Sequence, residues 1–392
     1  MRLGFHYHVP AIYHHNQIWM PAYFGLFIDS LAIRCEKIVC FFNSPVNEEI
    51  EQMDYPIKSQ NVQLVNIGPH ITIPLRTIRA IQMIPTLNKW QSDLDMMLMR
   101  APTPLLPIFF WIWKKPMALL LVSDEVAGIE NLPQPPWRKK LIWWWTLWNH
   151  SKQMQLSQKS LVFVNSQMLY EKYQSIIPNM ILTQTTTLSE NDFFYRTDTC
   201  KTPPYRLLYA GRISRTKGLF DIVKALSNLV SYGFDVVLDL VGMTDKSDPI
   251  LDLLSDYSES LSVSDRICYH GYKTAGPELL SFYRNADIYV TASQSSSEGF
   301  PRTIWEAMAS STPVVATKVS SISAFAKDAA LLVSPNDPEG LTLAIKEIIT
   351  NPNLRKSQII KGMALAKQNT LEKRAVELMG QIELWFHAKN EL

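Results

Sequence analysis

The chain has 392 residues, which is more than one hydrophobic core usually supports, so we expect two domains. Hydrophobic residues make up 47% of the chain and charged residues 19%, as is typical of a folded globular protein. The 38 Lys and Arg residues against 36 Asp and Glu residues leave a net charge of +2, which argues against a nucleic-acid partner. The unusual feature is tryptophan, because seven of the 11 lie between Trp111 and Trp148.

The cysteines and the apolar segments predict a cytoplasmic protein. The four cysteines show no zinc or redox spacing, and we expect them to be reduced and buried: Cys35, Cys40, Cys200 and Cys268. Residues 1–10 lack the apolar core of a secretory signal. The most apolar stretch, residues 105–122, is interrupted by Lys114, Lys115 and Pro116 and is not expected to cross a membrane.

The first half of the chain predicts strands and helices in an irregular alternation. The predicted strands cover residues 3–7, 37–42, 62–65, 117–122, 161–164 and 180–183. The predicted helices cover residues 20–33, 75–100 and 137–158.

The second half alternates more cleanly. The predicted strands cover residues 206–210, 235–241, 266–270, 287–291, 313–316 and 330–333, with helices between them, for example over 277–284 and 338–349. This order predicts an α/β protein with two doubly wound parallel sheets. The polar stretch 198–204, which ends in two prolines, predicts the linker. We therefore place domains at residues 1–198 and 199–370, followed by a last helix over 371–392.

A first candidate site follows the strand at 206–210, in the sequence AGRISRTKG. Gly211 permits a tight exit from the strand. Arg212 and Lys217 lie five residues apart and could converge on one anion, such as a diphosphate, at the start of the next helix. The alternative is two solvated cations on a surface loop.

A second candidate site follows the strand at 287–291, in the sequence SEGFPRTIWEAM. Glu298 stands in the loop and Glu306 lies eight residues later in a helix that Pro301 can start. Two carboxylates this far apart can accept hydrogen bonds from two different sets of hydroxyl groups on one ligand, and Gly299 lets backbone N–H groups approach a phosphate. The alternative for Glu298 is an acid that complements the helix dipole.

These two motifs resemble those of glycosyltransferase family 4. The pair Glu298 and Glu306 is similar to the paired-glutamate signature of that family, and Gly211 to Gly218 is similar to its phosphate-contacting GR-x4-KG stretch. The resemblance covers residues from about 205 to 375. It implies the GT-B fold, in which two Rossmann-like domains face a cleft and the last helix returns to the N-terminal domain. It also implies transfer of a sugar from a nucleotide-sugar donor, usually with retention and without a bound metal.

The resemblance also implies the roles of individual residues. Arg212 and Lys217 would stabilise the negative charge that builds on the leaving diphosphate. Glu306 would bind the donor ribose, and Glu298 would bind hydroxyls of the transferred sugar. Tyr272 is a candidate contact of the base. The remaining candidates form the phosphate and sugar cradle through their backbone: Gly299, Phe300, Pro301, Arg302 and Thr303.

The first half departs from the family pattern. Many members have a glycine-rich loop near residue 15, where this chain has polar residues that could donate hydrogen bonds, Asn16 among them. A polar surface loop is the alternative. Many members also carry a histidine where this chain has Ser123, which leaves Asp124 as the acid placed to meet the acceptor hydroxyl. The alternative for Asp124 is a helix or turn cap.

The tryptophan-rich segment predicts an amphipathic helix over 137–158. Its apolar stripe consists of Trp137, Leu141, Trp144, Trp145 and Trp148. Arg138, Lys139, Thr146 and Asn149 lie mostly on the other side. Cations beside tryptophan suit peripheral contact with a membrane, and a helix that packs its stripe on the N-terminal sheet is the alternative.

We therefore expect a cytoplasmic glycosyltransferase, at the inner face of the cytoplasmic membrane if the helix binds lipid. The expected partners are a nucleotide-sugar donor and a glycan or lipid-linked acceptor, with no cofactor and no metal. The alternatives are a nucleotide-sugar epimerase of the same fold and a non-catalytic, membrane-associated subunit that binds a nucleotide sugar.

Overall fold

The structure is a computed structural model that describes residues 1–124, 126, 129, 135–245, 248–294 and 300–390. The chain forms two compact units. Unit 1 comprises Met1–Gln184 and Glu372–Leu392, and unit 2 comprises Thr185–Leu371.

Unit 1 is built on a seven-stranded parallel sheet with the strand order β10-β9-β8-β7-β1-β4-β6. Its strands are β1 (Arg2–Pro10), β4 (Lys37–Ser44), β6 (Val62–Pro69), β7 (Met96–Ala101), β8 (Met117–Leu121), β9 (Leu161–Val164) and β10 (Met180–Leu182). A separate antiparallel sheet contains β2 (Ile12–His14), β3 (Gln17–Met20) and β5 (Tyr55–Pro56). Both faces of the main sheet are covered by apolar clusters, as parallel sheets require.

The helices of unit 1 lie on the two faces of this sheet. They are α1 (Ala22–Ala32), α2 (Ile73–Ala80), α3 (Ile84–Gln91), α4 (Leu106–Ile112), α5 (Pro136–Ser157), α6 (Gln167–Tyr173) and α14 (Leu371–Asn390). From α14, Ala375, Leu378, Met379 and Ile382 are buried in the same cluster as Phe24 of α1. The last helix therefore belongs to the core of unit 1.

One predicted helix of the first half is wrong in its second part. Residues 75–100 were expected to be helical, but they contain α2, α3 and then strand β7 (Met96–Ala101). Met96 to Met99 are fully buried because the strand lies inside the sheet, between β1 and β8. A continuous apolar run rich in methionine does not distinguish a buried strand from a buried helix.

Unit 2 is built on a six-stranded parallel sheet with the strand order β13-β12-β11-β14-β15-β16. Its strands are β11 (Tyr205–Ala210), β12 (Val236–Val241), β13 (Ile267–Tyr269), β14 (Ile288–Thr291), β15 (Val314–Thr317) and β16 (Leu331–Val333). Its helices are α7 (Leu219–Ser231), α8 (Ile250–Ser260), α9 (Pro277–Asn285), α10 (Arg302–Ala309), α11 (Ser320–Ala326), α12 (Pro338–Thr350) and α13 (Pro352–Ala366). The alternation of strands and helices expected in this half is confirmed.

The boundary between the units follows Gln184, whereas the sequence places it after residue 198. The segment before the paired prolines is held by unit 2. The guanidinium of Arg196 donates to the carbonyls of Arg284 (2.9 Å) and Ala286 (2.6 Å) and to the hydroxyl of Thr312 (2.7 Å). A polar composition predicted a linker here, but these polar groups find partners in unit 2.

Candidate functional site

Three glycines mark the carboxyl ends of neighbouring strands in unit 2. Gly211 follows β11, Gly242 follows β12, and Gly271 lies just after β13. The N–H of Gly211 donates to the carbonyl of Val241, and the N–H of Gly242 donates to the carbonyl of Gly271, both at 2.9 Å. A Cβ on Gly242 would lie 1.7 Å from the carbonyl oxygen of Gly211. The close backbone packing therefore excludes a side chain at this position, and ligands of doubly wound sheets bind beyond such strand ends.

The loop that contains Arg212 and Lys217 begins at this edge. Tyr209 donates a hydrogen bond of 2.8 Å to the carbonyl of Arg212, whose side chain is exposed. Lys217 is half-buried and is followed by Gly218, which caps the N-terminus of α7 with φ 65° and ψ 29°. The loop therefore presents two cations just before a helix N-terminus, the arrangement expected of a phosphate site.

The same loop is attached to the loop that follows β14. The N–H of Gln294 donates to the carbonyl of Thr216 (2.9 Å), and its side chain donates to Asp221 of α7 (3.0 Å). Gly218 lies so close to Ala292 that a Cβ would be 2.0 Å from its carbonyl oxygen. The first motif is thus attached to the segment that precedes the second motif. Glu298 and Gly299 lie outside the described residues.

Glu306 is buried in α10 with an exposed fraction of 6%. Thr187 donates to its Oε1 at 2.6 Å, and Tyr283 of α9 donates to its Oε2 at 2.8 Å. Burial, and then the negative charge of Glu306, raise the pKa of Tyr283 well above its usual value. Each carboxylate oxygen has two lone pairs and can accept a further hydrogen bond from a ligand. The ribose-binding role of Glu306 stays a prediction, and contacts within unit 2 hold its carboxylate in place.

The residues between the two glutamates begin helix α10. Phe300 is buried and stacks on Trp305 with a centroid distance of 4.1 Å, so its side chain is part of the core. Pro301 precedes the helix, and Arg302 and Thr303 are its first two residues. The hydroxyl of Tyr289 donates to Thr303 at 2.7 Å. Tyr272, after Gly271, is exposed. Their donor contacts stay predictions.

Sequence reasoning missed the two residues that hold Glu306. Tyr283 lies outside both motifs, and its hydroxyl carries one of the contacts. Thr187 lies far from Glu306 in sequence, and nothing in the local pattern indicates the contact.

In unit 1, Asp124 follows β8 and has partners of its own. Its side chain is 4% exposed and forms an ion pair with Lys172 of α6. It also accepts a hydrogen bond of 3.1 Å from the N–H of Val126. These contacts favour the turn-capping interpretation, and contact with an acceptor stays a prediction.

Asn16 lies at the tip of the β2–β3 hairpin. His15 and Asn16 have φ values of 47° and 62°, the left-handed conformation of a two-residue hairpin turn. The chain therefore places a short antiparallel hairpin where the family resemblance implies a glycine-rich loop, and the exposed side chain of Asn16 fits the surface-loop alternative.

The tryptophan helix α5 buries its polar side. The buried residues of α5 are Thr146, Asn149, Gln153 and Ser157. Trp137, Leu141 and Trp144 have exposed fractions of 67%, 61% and 65%. The alternative in which this stripe packs on the sheet is therefore wrong for these three residues. In the described part of the chain, none of the helices is long and apolar enough to cross a membrane.

The cysteines are all free, but Cys268 is exposed rather than buried as expected. Asp239, Cys268 and His270 bring their ligand atoms within 4.8 Å of one another. Asp239 is already bound by Arg206 (2.7 Å) and His270 (2.7 Å). Both oxygens of Asp239 therefore have partners within unit 2, the guanidinium of Arg206 on one and the ring of His270 on the other.

A comparison with known protein families finds a match for most of unit 2. Residues 195–364 match the family described as "Glycosyl transferases group 1". This match shows that residues 195–364 are similar to that family. The match confirms the resemblance found in the two motifs, and it covers unit 2 almost completely.

Two curated relatives align with a similar share of the chain. A D-inositol 3-phosphate glycosyltransferase of Paenarthrobacter aurescens is 31% identical over 154 residues, which is 39% of this chain and 37% of that protein. The lipopolysaccharide core biosynthesis glycosyltransferase LpsE of Rhizobium meliloti is 30% identical over 147 residues, which is 37% of this chain and 39% of that protein. The chain thus matches less than half the length of these relatives.

Solved structures match over nearly the whole length. HepE of Anabaena, in complex with UDP and glucose, has a TM-score of 0.72 and 16% identity, covering 98% of this chain and 99% of that chain. Sucrose-phosphate synthase of Thermosynechococcus elongatus has the same TM-score and identity and covers 99% of both chains. The fold is GT-B, as the sequence predicts.

Proposed function

We propose that this protein is a glycosyltransferase that transfers a sugar from a nucleotide-sugar donor to a glycan or lipid-linked acceptor, with retention and without a metal. Unit 2 binds the donor and unit 1 binds the acceptor. UDP is the first nucleotide to test, because HepE, which has the same fold, has been solved with UDP.

The observation that carries the proposal is the attachment of the two motif loops at the carboxyl edge of the unit 2 sheet. The Arg212–Lys217 loop is bonded to the loop after β14 through Thr216 and Gln294. The chain that leads to Glu298 therefore starts beside the cations that would bind the diphosphate.

Cations at this place suit the chemistry of sugar transfer. The bond between the anomeric carbon and the diphosphate breaks, and negative charge builds on the leaving phosphate. Arg212 and Lys217 stabilise that charge without a metal. The acceptor oxygen attacks from the face that the diphosphate leaves, so that the configuration is retained, and its proton goes to the leaving phosphate.

The exposed tryptophans of α5 support an acceptor at a membrane surface. Trp137, Leu141 and Trp144 face solvent beside Arg138 and Lys140, which are also exposed. Indole rings and cations together bind the headgroup region of anionic bilayers. Four free cysteines fit a reducing compartment, so the surface is the cytoplasmic face of the membrane.

The proposal is tested by measuring UDP-sugar binding and sugar transfer with Lys217→Ala and Arg215→Ala. Arg215 lies in the same loop but faces Asp248 at 3.9 Å, so it is the matched control. We expect Lys217→Ala to weaken donor binding and to slow transfer by about 100-fold or more, as for loss of a charge that stabilises a transition state. Equal behaviour of the two variants would refute the assignment of the donor site.

Two other outcomes correspond to the alternatives. An epimerase would convert the sugar of its donor without an acceptor and without releasing free nucleotide. A non-catalytic subunit would bind the donor but release no nucleotide with any acceptor. Acceptor-dependent release of UDP excludes both.

A further inference from the structure

Unit 1 contains a cluster of side chains whose buried nitrogen atoms have no hydrogen-bond partner among the residues that the structure describes. The residues are His8 in β1, His70 directly after β6, and Arg76 in α2. The atoms are Nδ1 of His8, Nε2 of His70, and Nε and Nη1 of Arg76. Buried polar atoms are nearly always paired in folded proteins, so four such atoms in one place indicate a partner from outside the chain.

The topology of the sheet brings these residues together. β1 and β6 flank β4 as parallel strands, and Pro10 and Pro69 pair with the end of β4 through Asn43 and Ser44. The carboxyl ends of the strands therefore meet at one edge, and α2 begins shortly after β6. His8 interacts electrostatically with both Arg76 and His70, so the three groups share one environment.

Glu49, the carboxylate near His70 and Arg76, already has hydrogen-bond partners. Glu49 lies with its Oε1 2.5 Å from Nδ1 of His70, and its Oε2 accepts a hydrogen bond of 3.1 Å from the N–H of Val46. It attracts Arg76 at longer range. Both oxygens of this carboxylate thus have partners other than Arg76.

Two arginines, Arg76 and Arg100, supply the positive charge at this edge of the sheet. Burial lowers the pKa of Arg76, although Glu49 opposes this effect. Burial and the neighbouring His6, Arg76, His70 and Arg100 lower the pKa of His8 to about 3. Arg100 of β7 lies 4.7 Å over the ring of Tyr7 and adds a further cation at this edge. A bound anion would offset the free-energy cost of burying these groups.

We propose that His8, His70 and Arg76 bind an anionic oxyacid group, a phosphate or a carboxylate, of the acceptor. The inference rests on the proposed function in assigning the anion to the acceptor; the anion site itself depends only on unit 1. The carboxyl edge of a doubly wound sheet is where such a ligand would lie. A guanidinium with two unpaired N–H groups is the side chain that recognises oxyanions best.

Anion binding is measured first, with the full chain and without a donor. The melting temperature is recorded in inorganic phosphate, in acetate and in chloride at one ionic strength and pH. We expect phosphate or acetate, but not chloride, to raise it, since a ligand of the native state stabilises the fold. A higher melting temperature in phosphate would identify a phosphate ligand, and a higher one in acetate would identify a carboxylate ligand. The same melting temperature in all three salts would overturn the proposal.

The matched variants are Arg76→Gln and Arg79→Gln. Arg79 lies on the same helix and is exposed. We expect Arg79→Gln to keep the anion effect, and Arg76→Gln to weaken anion affinity by about tenfold or more. The same affinity in both variants would refute the site. If Arg76→Gln does not fold, His8→Gln replaces it with the same expectation.

Transfer kinetics separate this inference from the proposed function. With an anionic acceptor, Arg76→Gln should raise the acceptor KM by about tenfold and leave the donor KM unchanged. An unchanged acceptor KM would refute the acceptor assignment. An Arg76-dependent anion effect in a protein that neither binds a nucleotide sugar nor transfers sugar would refute the proposed function and leave the anion site standing.

Discussion

The hydroxyl of Tyr283 donates a hydrogen bond of 2.8 Å to the carboxylate of Glu306 inside unit 2. The two residues belong to adjacent helices, α9 and α10, and both are buried. Thr187 completes the set from the segment that enters unit 2. The orientation of Glu306 is therefore set by contacts within unit 2.

Tyr283→Phe removes a partner from a buried carboxylate oxygen. We expect the free energy of unfolding to fall by about 1–3 kcal/mol, and donor binding to weaken because Glu306 is no longer fixed. The control is Tyr257→Phe, since the Tyr257 ring packs on Phe220 and its hydroxyl has no hydrogen bond within the described residues. Urea unfolding and UDP titration measure both effects. An equal loss in both variants would show that the bond contributes nothing.

Gly218→Ala tests the close packing of the two motif loops. Gly218 has φ 65°, and a Cβ would lie 2.0 Å from the carbonyl oxygen of Ala292. Gly233 also has a positive φ, of 84°, but its Cβ would meet open space. We expect Gly233→Ala to cost about 1 kcal/mol from backbone strain and Gly218→Ala about 2–4 kcal/mol. Thermal unfolding of the two variants makes the comparison, and similar costs would contradict the contact.

His6, which is buried, and His8, which is partly buried, make unit 1 sensitive to acid. Burial lowers the pKa of His6 to about 4, although its bond to the carbonyl of Phe41 opposes this. The pKa of His8 is lowered to about 3. Both histidines take up a proton near pH 6.5 in the unfolded chain, but only near pH 4 and pH 3 in the folded chain. Their contribution to the free energy of unfolding is therefore complete above pH 6.5 and is lost as the pH falls toward these values. Each group contributes about 1.4 kcal/mol per pH unit in that window.

The measurement is the urea midpoint at pH 7.5 and at pH 5.0 in a phosphate-free buffer. We expect His8→Gln to lose less stability between these two pH values than the unsubstituted chain. An identical loss in both proteins would mean that His8 titrates normally in the folded state.

The tryptophan helix predicts binding to anionic vesicles. Replacing Trp137 and Trp144 by serine removes exposed rings without opening a core. We expect partitioning to phosphatidylglycerol vesicles to fall by about tenfold or more, as for loss of interfacial apolar area. The control replaces Ile360 and Leu384, which are 70% and 68% exposed elsewhere. Flotation that is unchanged in the tryptophan variant would refute the membrane contact.

The sequence predicts the fold better than it predicts which side of an element faces inward. Strands such as Leu161–Val164 lie within predicted ranges because short apolar runs between polar loops have few other solutions. In α5, the stripe of tryptophans and the stripe of Thr146 and Asn149 were both visible, but the usual rule assigns the polar stripe to solvent. Which stripe packs depends on neighbouring elements that a single helix pattern does not contain.

The same limit applies to the site residues, because a local sequence pattern does not show contacts with residues far away in the chain. The motif residues Arg212 and Lys217 can be chosen from local spacing, because a strand, a glycine and two cations form one loop. Asp124 was chosen in the same way, yet its partner Lys172 lies on a different helix. The His8 and Arg76 cluster combines residues far apart in sequence, and only the strand order brings them to one edge.

The helix α14 gives unit 1 an order of assembly. During synthesis, all of unit 2 leaves the ribosome before the residues of α14 that cover Phe24 and its neighbours. Unit 2 can fold from one continuous segment. In the nascent unit 1, by contrast, the apolar surface around Phe24 stays exposed until translation reaches Ile382. A stop codon after Leu371 would therefore spare the family-matched unit and damage the one made first.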